Sequence, residues 1–211
     1  MPHIHRPLAV GFLALLLTGC FGSTATPSAS APSTAAVSPS TDGTASAAAT
    51  ASAEGSAEPI PSEDLGEFSC DLPVHADATV ARANIVDVRV GTHADYDRVV
   101  FEFTDGVPEI SLDRAEPPFS EDGSGRPIEV DGSSFLSLTM RGGTKQTDDG
   151  TSSYDRPTEF TPGFPSLVHL VEAGDFEAQS TWILGLSSEA CVRVLTLTDD
   201  GAPRLVIDVE H

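Results

Sequence analysis

The chain has 211 residues and carries 11 Lys and Arg against 32 Asp and Glu, a formal net charge of −21. This acidic balance argues against nucleic acid and against anionic lipid surfaces as partners. An N-terminal region of low complexity leaves about 145 residues, which suits one domain with a sizeable core.

Residues 1–20, MPHIHRPLAVGFLALLLTGC, have the layout of a signal peptide. Arg6 precedes an apolar run over residues 8–17 that is too short to span a bilayer comfortably. The run ends in LTGC, residues 17–20, which resembles the lipobox of bacterial lipoproteins. Lipid on Cys20 would anchor the protein to the outer face of the cytoplasmic membrane, extending into the cell wall. A chance tetrapeptide in an ordinary secretory signal is the alternative.

Residues 21–66 are predicted to form a disordered Ser/Thr/Ala/Pro linker. Between residues 21 and 62, all but six residues are Ser, Thr, Ala, Pro or Gly, so too few apolar groups remain to offset the entropy of ordering. A flexible chain of this length reaches roughly 35 to 40 Å. The linker would act as a tether and could carry sugars, although filler of unselected length is an equal alternative.

With Cys20 assigned to lipid, Cys70 and Cys191 are the remaining thiols. An oxidising compartment outside the membrane favours a disulfide between them. The bridge would close a loop of about 120 residues. Two free buried thiols are the alternative, because sequence does not give their separation.

Residues 67–211, with a core at 80–211, are predicted as an all-β domain. No segment shows a helical period over ten residues, whereas apolar residues alternate in many short runs bounded by Gly, Pro and Asp. Val86, Val88 and Val90, for example, are predicted to share one face of a strand. The pattern favours a sandwich of two small sheets. The predicted strands cover 85–90, 98–103, 109–112, 127–130, 135–140, 166–171, 180–186, 192–197 and 204–209.

The domain contains a possible internal repeat, which would give the sandwich pseudo-symmetry. The segment from Leu167 aligns with the segment from Ile85, and residues 125–130 correspond to 202–209. This spacing predicts a duplicated β-unit whose halves pack as two sheets. Chance similarity between β-runs is the alternative.

Two strands place an acid four residues after an Arg: Arg98 with Glu102, and Arg204 with Asp208. If the strands pair antiparallel, Arg98 faces Asp208 and Glu102 faces Arg204, as exposed ion pairs that fix the register. In the competing hypothesis, the strands lie apart and these residues form part of a ligand site.

Four segments resemble, in order and spacing, the AMIN-like domain of actinobacterial envelope lipoproteins: VRVGTHADYDRVVFEF, SGRPIEV, EAGDFEAQSTWILGL and APRLVIDVEH. That domain is related to the AMIN domain that accompanies N-acetylmuramoyl-L-alanine amidases. The resemblance covers about residues 80–211. It implies a β-sandwich and, for the amidase-associated relatives, peptidoglycan binding that localises enzymes in the wall. It assigns no binding residues that could be carried over.

The sequence predicts a protein that is not an enzyme and needs no cofactor or metal. Its domain histidines, at positions 75, 93, 169 and 211, have no metal-ligand spacing. The stretch Asp122-Gly123-Ser124-Gly125 reads as a turn, since its order differs from that of a serine nucleophile loop. His93, Asp95 and Asp97 offer at most a weak cation loop, for which a solvated hairpin is the simpler reading.

Two functions remain on sequence alone. In the first, the domain binds peptidoglycan or another wall glycan through loops at one end of the sandwich, with Tyr96, Tyr154 or Phe176 joined by Arg98 and Arg204. Trp182, inside a β-run, is predicted to pack in the core rather than stack on sugar. In the second, the domain docks an envelope enzyme, and its acidic surface pairs with a basic partner.

Overall fold

The computed structural model describes residues 65–199 and 201–211, so the predicted signal peptide, Cys20 and linker residues 21–64 lie outside the described residues. The described chain is all-β, which confirms the predicted fold class. Its strands are β1 (Val74–Ala76), β2 (Ala83–Thr92), β3 (Tyr96–Phe103), β4 (Glu109–Ala115), β5 (Phe119–Ser120), β6 (Pro127–Ile128), β7 (Ser134–Arg141), β8 (Gly143–Thr144), β9 (Glu159–Phe160), β10 (Leu167–Phe176), β11 (Gln179–Leu186), β12 (Val192–Leu197) and β13 (Arg204–Glu210).

The strands form two larger sheets and one small one. Six strands pair in the order β1-β4-β7-β11-β10-β9, and five pair in the order β12-β13-β3-β2-β8. The short strand β8 runs parallel to β2. The two-stranded sheet of β5 and β6 brings Phe119 and Ile128 against a second, smaller apolar cluster that contains Val171 and Ile183.

The core lies between the two larger sheets, which makes the domain a sandwich. Phe101 of β3 and Leu138 of β7 are fully buried members of one apolar cluster. The ring of Phe101 meets the ring of Trp182 edge-on across the two sheets, with the centroids 5.1 Å apart. Trp182 is fully buried, so the prediction that it packs in the core is confirmed.

One strand departs from the predicted alternation. The pairing of β2 with β3 shifts between Ile85 and Asp87, because a bulge at Val86 inserts an extra residue. Ile85 and Val88 therefore both reach the core, and Val86 does not belong to it. The prediction that Val86 shares a face with Val88 is wrong for this reason.

The internal repeat is only partly present. The hairpin of β2 and β3 lies in the five-stranded sheet, and the aligned hairpin of β10 and β11 lies in the six-stranded sheet. However, β4 and β7 from the first half join the six-stranded sheet, whereas β12 and β13 from the second half join the other. The prediction that each half forms its own sheet is wrong. Residues 125–130 and 202–209 are not equivalent either, because β6 lies in the small sheet and β13 pairs with β3.

The start of the described chain is fixed to the edge of the five-stranded sheet. Cys70 and Cys191 form a disulfide, 121 residues apart in sequence. Ser69 and Val192 exchange two backbone hydrogen bonds of 2.8 and 2.9 Å. The ring of Phe68 lies 4.5 Å from the guanidinium carbon of Arg193. The N-terminal side of the domain is therefore attached to the sandwich at the beginning of β12.

The predicted antiparallel pairing of the two Arg-containing strands is confirmed. Arg98 lies opposite Asp208, and Glu102 lies opposite Arg204. Arg98 donates to both carboxylate oxygens of Asp208 at 2.6 and 2.9 Å, and Arg193 from β12 donates to one of them at 3.0 and 2.6 Å.

The expected exposure of the Arg98–Asp208 pair is wrong. The side chains of Arg98, Asp208 and Arg193 are only 5%, 0% and 10% exposed. The rings of Phe68 and Tyr96 pack against the guanidinium of Arg193 and shield this ion triplet from solvent. A buried carboxylate needs such charge partners, since removal of one partner leaves an uncompensated buried charge.

We predict that Asp208→Ala lowers the free energy of unfolding by about 3 to 5 kcal/mol, because two buried guanidinium groups lose their shared anion. Urea unfolding followed by the fluorescence of Trp182 measures the change. A double-mutant cycle with Arg98→Ala gives the coupling energy of the pair. The exposed pair Arg114–Glu189, 3.0 Å apart, is the matched control, and Glu189→Ala should change stability far less. A coupling near zero between Arg98 and Asp208 would contradict the prediction.

A second buried carboxylate ties the two larger sheets together. Asp97 of β3 accepts hydrogen bonds from the backbone amides of Ser166 and Leu167, at 2.7 and 2.8 Å. The ring of His211 lies 3.0 Å from its other oxygen. Burial raises the pKa of Asp97, but the Leu167 amide, the Thr92 hydroxyl, His211 and the Ser166 amide together outweigh it, so the pKa is lowered.

The lowered pKa of Asp97 predicts a specific acid sensitivity. Its carboxylate stabilises the fold above the ordinary value of 3.8, and that contribution is lost as the pH falls towards the folded pKa. Asp97→Asn should therefore be less stable near neutral pH and lose less additional stability on acidification. Unfolding free energies measured at several pH values test this, with the exposed neighbour variant Asp95→Asn as control. Parallel pH profiles for Asp97→Asn and the parent protein would contradict it.

Candidate functional site

The four residues predicted to bind ligand do not form one site. The Arg98 guanidinium lies 5.0 Å from the ring of Tyr96, at the start of β3. Arg204 lies at the start of β13, opposite Glu102, near the other end of β3. Phe176 belongs to the other sheet, where it closes the hairpin of β10 and β11 with Gln179.

Tyr96 and Phe176 lie at opposite ends of the sandwich. Strand β2 starts at Ala83, beside the Phe176 hairpin, and ends at Thr92, beside Tyr96 and its neighbours. Ten residues of strand span about 30 Å. Tyr154 is buried, and its hydroxyl donates to the carbonyl of Pro157. The three aromatic residues predicted as alternatives for ligand binding therefore lie in different places, and Tyr96 and Phe176 do not belong to one site.

At the Tyr96 end of the sandwich, the aromatic and Arg side chains pack against one another. The guanidinium of Arg193 lies over both Phe68 and Tyr96, and the ring of His93 stacks on Tyr96 at 4.5 Å. Burial and the nearby Arg98 charge lower the pKa of His93. The Arg98 and Arg193 side chains are occupied by Asp208 and buried.

The Phe176 end has the features of a binding site. Phe176 is 68% exposed, the one large hydrophobic residue so exposed among those described. It lines an open pocket of about 410 Å³. We call this feature the Phe176 pocket; its lining residues are Arg82, Thr144, Gln146, Asp175, Phe176, Glu177 and Ala178.

Hydrogen bonds fix the polar wall of the Phe176 pocket. Asp175 accepts from the hydroxyl of Thr144 at 2.6 Å and from the backbone amide of Lys145 at 2.7 Å. The guanidinium of Arg82 donates to the carbonyl of Gln146, which also accepts from Asn84 at 2.7 Å. Gln146 itself lies at an exposed position.

The turn that presents Phe176 has an unusual backbone. Glu177 and Ala178, its two central residues, have φ angles of 51° and 59°. Two-residue hairpin turns of this kind favour Asn-Gly, because residues with a Cβ are strained at positive φ. A hydrogen bond stabilises this turn: the backbone amide of Gly142 donates to the carbonyl of Ala178 at 2.7 Å. Strain of this kind is common at binding sites.

The family of the domain follows from comparison with known proteins. The model of the AMIN-like domain matches residues 83–211. The chain belongs to the AMIN-like family. Membership indicates a peptidoglycan-associated, amidase-related domain, and AMIN-like domains are non-catalytic accessory domains. Neither the curated proteins nor the solved structures give a match to this chain.

Beside the pocket, the AMIN-like domain contains a largely buried ion pair between Lys145 and Glu172. Burial raises the pKa of Glu172, and the bonded Lys145 ammonium offsets only part of that shift. Lys145 is the only Lys in the sequence. Because its backbone amide also holds Asp175, the pair fixes the segment that carries the pocket wall.

The sequence predictions about metal and serine chemistry concern side chains in the part of the AMIN-like domain that the structure describes. No group of three or more His, Cys, Asp or Glu side chains there is arranged to hold a metal ion. Ser124 lies in an exposed turn, where its hydroxyl donates to Glu121 at 2.8 Å. Among the same residues, no helix has the length and apolarity needed to cross a bilayer.

Sequence reasoning found Phe176 but missed Arg82, Gln146 and Asp175. Phe176 stands out because an aromatic residue interrupts an acidic, Gly-containing turn. Arg82 and Gln146 are 64 residues apart and meet only because β8 pairs in parallel with β2. A two-residue strand has no period that could be read from the AMIN-like sequence.

Proposed function

We propose that this AMIN-like domain is a non-catalytic module that binds peptidoglycan or another cell-wall glycan in the Phe176 pocket. The observation that carries the proposal is an exposed aromatic ring beside an open pocket with polar walls. Binding sites for small ligands commonly combine an apolar surface with a few fixed polar groups. Family membership supports the wall as the setting.

The chemistry of the pocket suits a sugar. A pyranose ring has an apolar C–H face that can pack on Phe176, as other apolar groups pack on aromatic rings. Its hydroxyl groups can bond to the amide of Gln146 and to the carboxylate of Glu177, both at exposed positions. Thr144 and Asp175 are already bonded to each other and therefore serve as a fixed wall.

The position of the pocket fits a tethered binder. The disulfide at Cys70 and the bonds of Ser69 fix the N-terminal side of the domain near Val192. Val192 lies opposite Val209, at the Tyr96 end of β13. The Phe176 pocket lies at the opposite end, about 30 Å away along β2. The attachment of the linker therefore leaves the Phe176 pocket unobstructed.

The anchor is part of the proposal. Residues 1–20 would direct export, lipid on Cys20 would hold the protein on the outer face of the cytoplasmic membrane, and the linker 21–66 would carry the domain into the wall. Support comes from the LTGC tetrapeptide directly after the apolar run.

Sedimentation with purified wall sacculi tests the glycan site. The full-length protein in detergent should sediment with sacculi without any added protein. Phe176→Ala should weaken retention about fivefold or more, since aromatic packing of this kind contributes on the order of 1 kcal/mol. Phe176→Trp keeps an aromatic ring and should retain binding. Tyr96→Phe, at the other end of the sandwich, should bind like the parent.

Two outcomes would overturn this assignment. If Phe176→Ala sediments as well as the parent, the pocket is not the glycan site. If the parent protein does not sediment with bare sacculi but is recovered from whole-envelope extract with a partner protein, the domain is a docking module for an envelope enzyme. Thermal unfolding of each variant shows whether a loss reflects misfolding.

Lipidation of Cys20 predicts a change of compartment. Cys20→Ser removes the thiol that would receive lipid, so the variant should move from the membrane fraction to the soluble fraction or the medium. Fractionation and immunoblotting measure the shift. Thr18→Ser, which keeps a small residue two positions before the thiol, should stay with the membrane. A Cys20→Ser protein that remains as membrane-bound as the parent would show that the tetrapeptide is not used.

A further inference from the structure

Arg82 is the one positively charged residue among those that line the Phe176 pocket. Its side chain is 37% exposed, immediately before β2. One guanidinium nitrogen donates to the carbonyl of Gln146, which fixes the plane of the group. The Nε atom lies 3.4 Å from a carboxylate oxygen of Asp148. An oriented Arg of this kind suits a planar, anionic ligand group.

Asp148 holds Arg82 only weakly. The Asp148 side chain is 89% exposed, and the 3.4 Å contact is longer than a charge-assisted hydrogen bond. Surface ion pairs of this type add little stability. A second carboxylate could therefore replace Asp148 at little cost. Two other acids line the pocket. Asp175 is held by Thr144 and by the Lys145 amide, and Glu177 lies at an exposed position in the turn.

We infer that Arg82 receives a carboxylate of the bound glycan and that Asp148 occupies the guanidinium when no ligand is present. The inference rests on the proposed function of the Phe176 pocket. It makes the ligand an acidic wall glycan, because Arg82 and Phe176 line the same pocket. A neutral polymer would pack on Phe176 but leave Arg82 with Asp148.

The test compares full-length Arg82→Gln, Asp148→Asn and the parent in sedimentation with intact sacculi at low salt. Arg82→Gln should weaken retention about tenfold, since a charge-assisted hydrogen bond is lost. Asp148→Asn should strengthen retention about two- to fivefold, because it removes the competing carboxylate. Asp95→Asn removes the same charge at the far end of the sandwich and serves as the matched control.

Chemically modified sacculi identify the ligand group. Amidation of the carboxyl groups of the wall should bring the parent, Arg82→Gln and Asp148→Asn to the same weak binding. Peptide released from the wall and added as a soluble competitor then shows the source: loss of the Arg82-dependent retention places the carboxylate on a peptide, and unchanged retention places it on a sugar. Chitin is the neutral control, on which Arg82→Gln should have no effect.

The two proposals fail in different ways. If Phe176→Ala reduces sedimentation while Arg82→Gln and Asp148→Asn both bind like the parent, the glycan site stands and the carboxylate inference is overturned. The same conclusion follows if amidated sacculi bind as well as untreated sacculi. If Phe176→Ala has no effect, the glycan site itself is overturned.

Discussion

The fold depends on one carboxylate shared by two arginines. Asp208 lies on β13, the second strand of the five-stranded sheet, where it is fully buried between Arg98 and Arg193 on the neighbouring strands. A one-residue slip of β13 would turn Asp208 into the apolar core and expose Ile207 and Val209 on the outer face. The cost of a buried, unpaired charge excludes that register. The ion triplet therefore specifies which strands are neighbours as well as their alignment.

The position of the candidate site follows from this register. Once β3 is fixed, its hairpin with β2 places Ala83 at the end of the sheet where β8 pairs in parallel. This pairing brings Gln146 to Arg82, and Gly142 holds the strained turn that presents Phe176. The pocket is thus assembled from three segments that only the sheets bring together. The opposite end of the sandwich is closed by the disulfide and by rings stacked over buried Arg side chains, so the two ends differ in what they can bind.

The pocket shares the acidic character of the whole chain, because Asp175 and Glu177 outnumber Arg82 among its lining residues. A protein with a formal net charge of −21 is not attracted to an anionic wall over long distances. The contacts of the Phe176 ring and the oriented Arg82 guanidinium act within a few ångströms, so they do not require long-range attraction between the protein and the wall. Specificity would then come from the geometry of Phe176 and Arg82, and the weak hold of Asp148 on Arg82 leaves that guanidinium available for exchange.

The sequence by itself determined the all-β class, most of the longer strands and the pairing of β3 with β13. The alternation of apolar and polar residues along a strand is a local property that can be recognised in sequence. The Arg and the acid are four residues apart in both β3 and β13, and this equal spacing indicates the register in which the two strands pair. Tertiary structure alone decided the rest. Alternating apolar residues allow a strand to pair with any other strand, so the repeat did not show which strands share a sheet. The bulge at Val86 changed which residues of β2 face the core. Arg98 is paired with Asp208, which is 110 residues away in sequence, and its burial is a property of the assembled sheet. Phe176 was visible as an aromatic residue in a turn, whereas Arg82 became a site residue only through contacts made across the sheet.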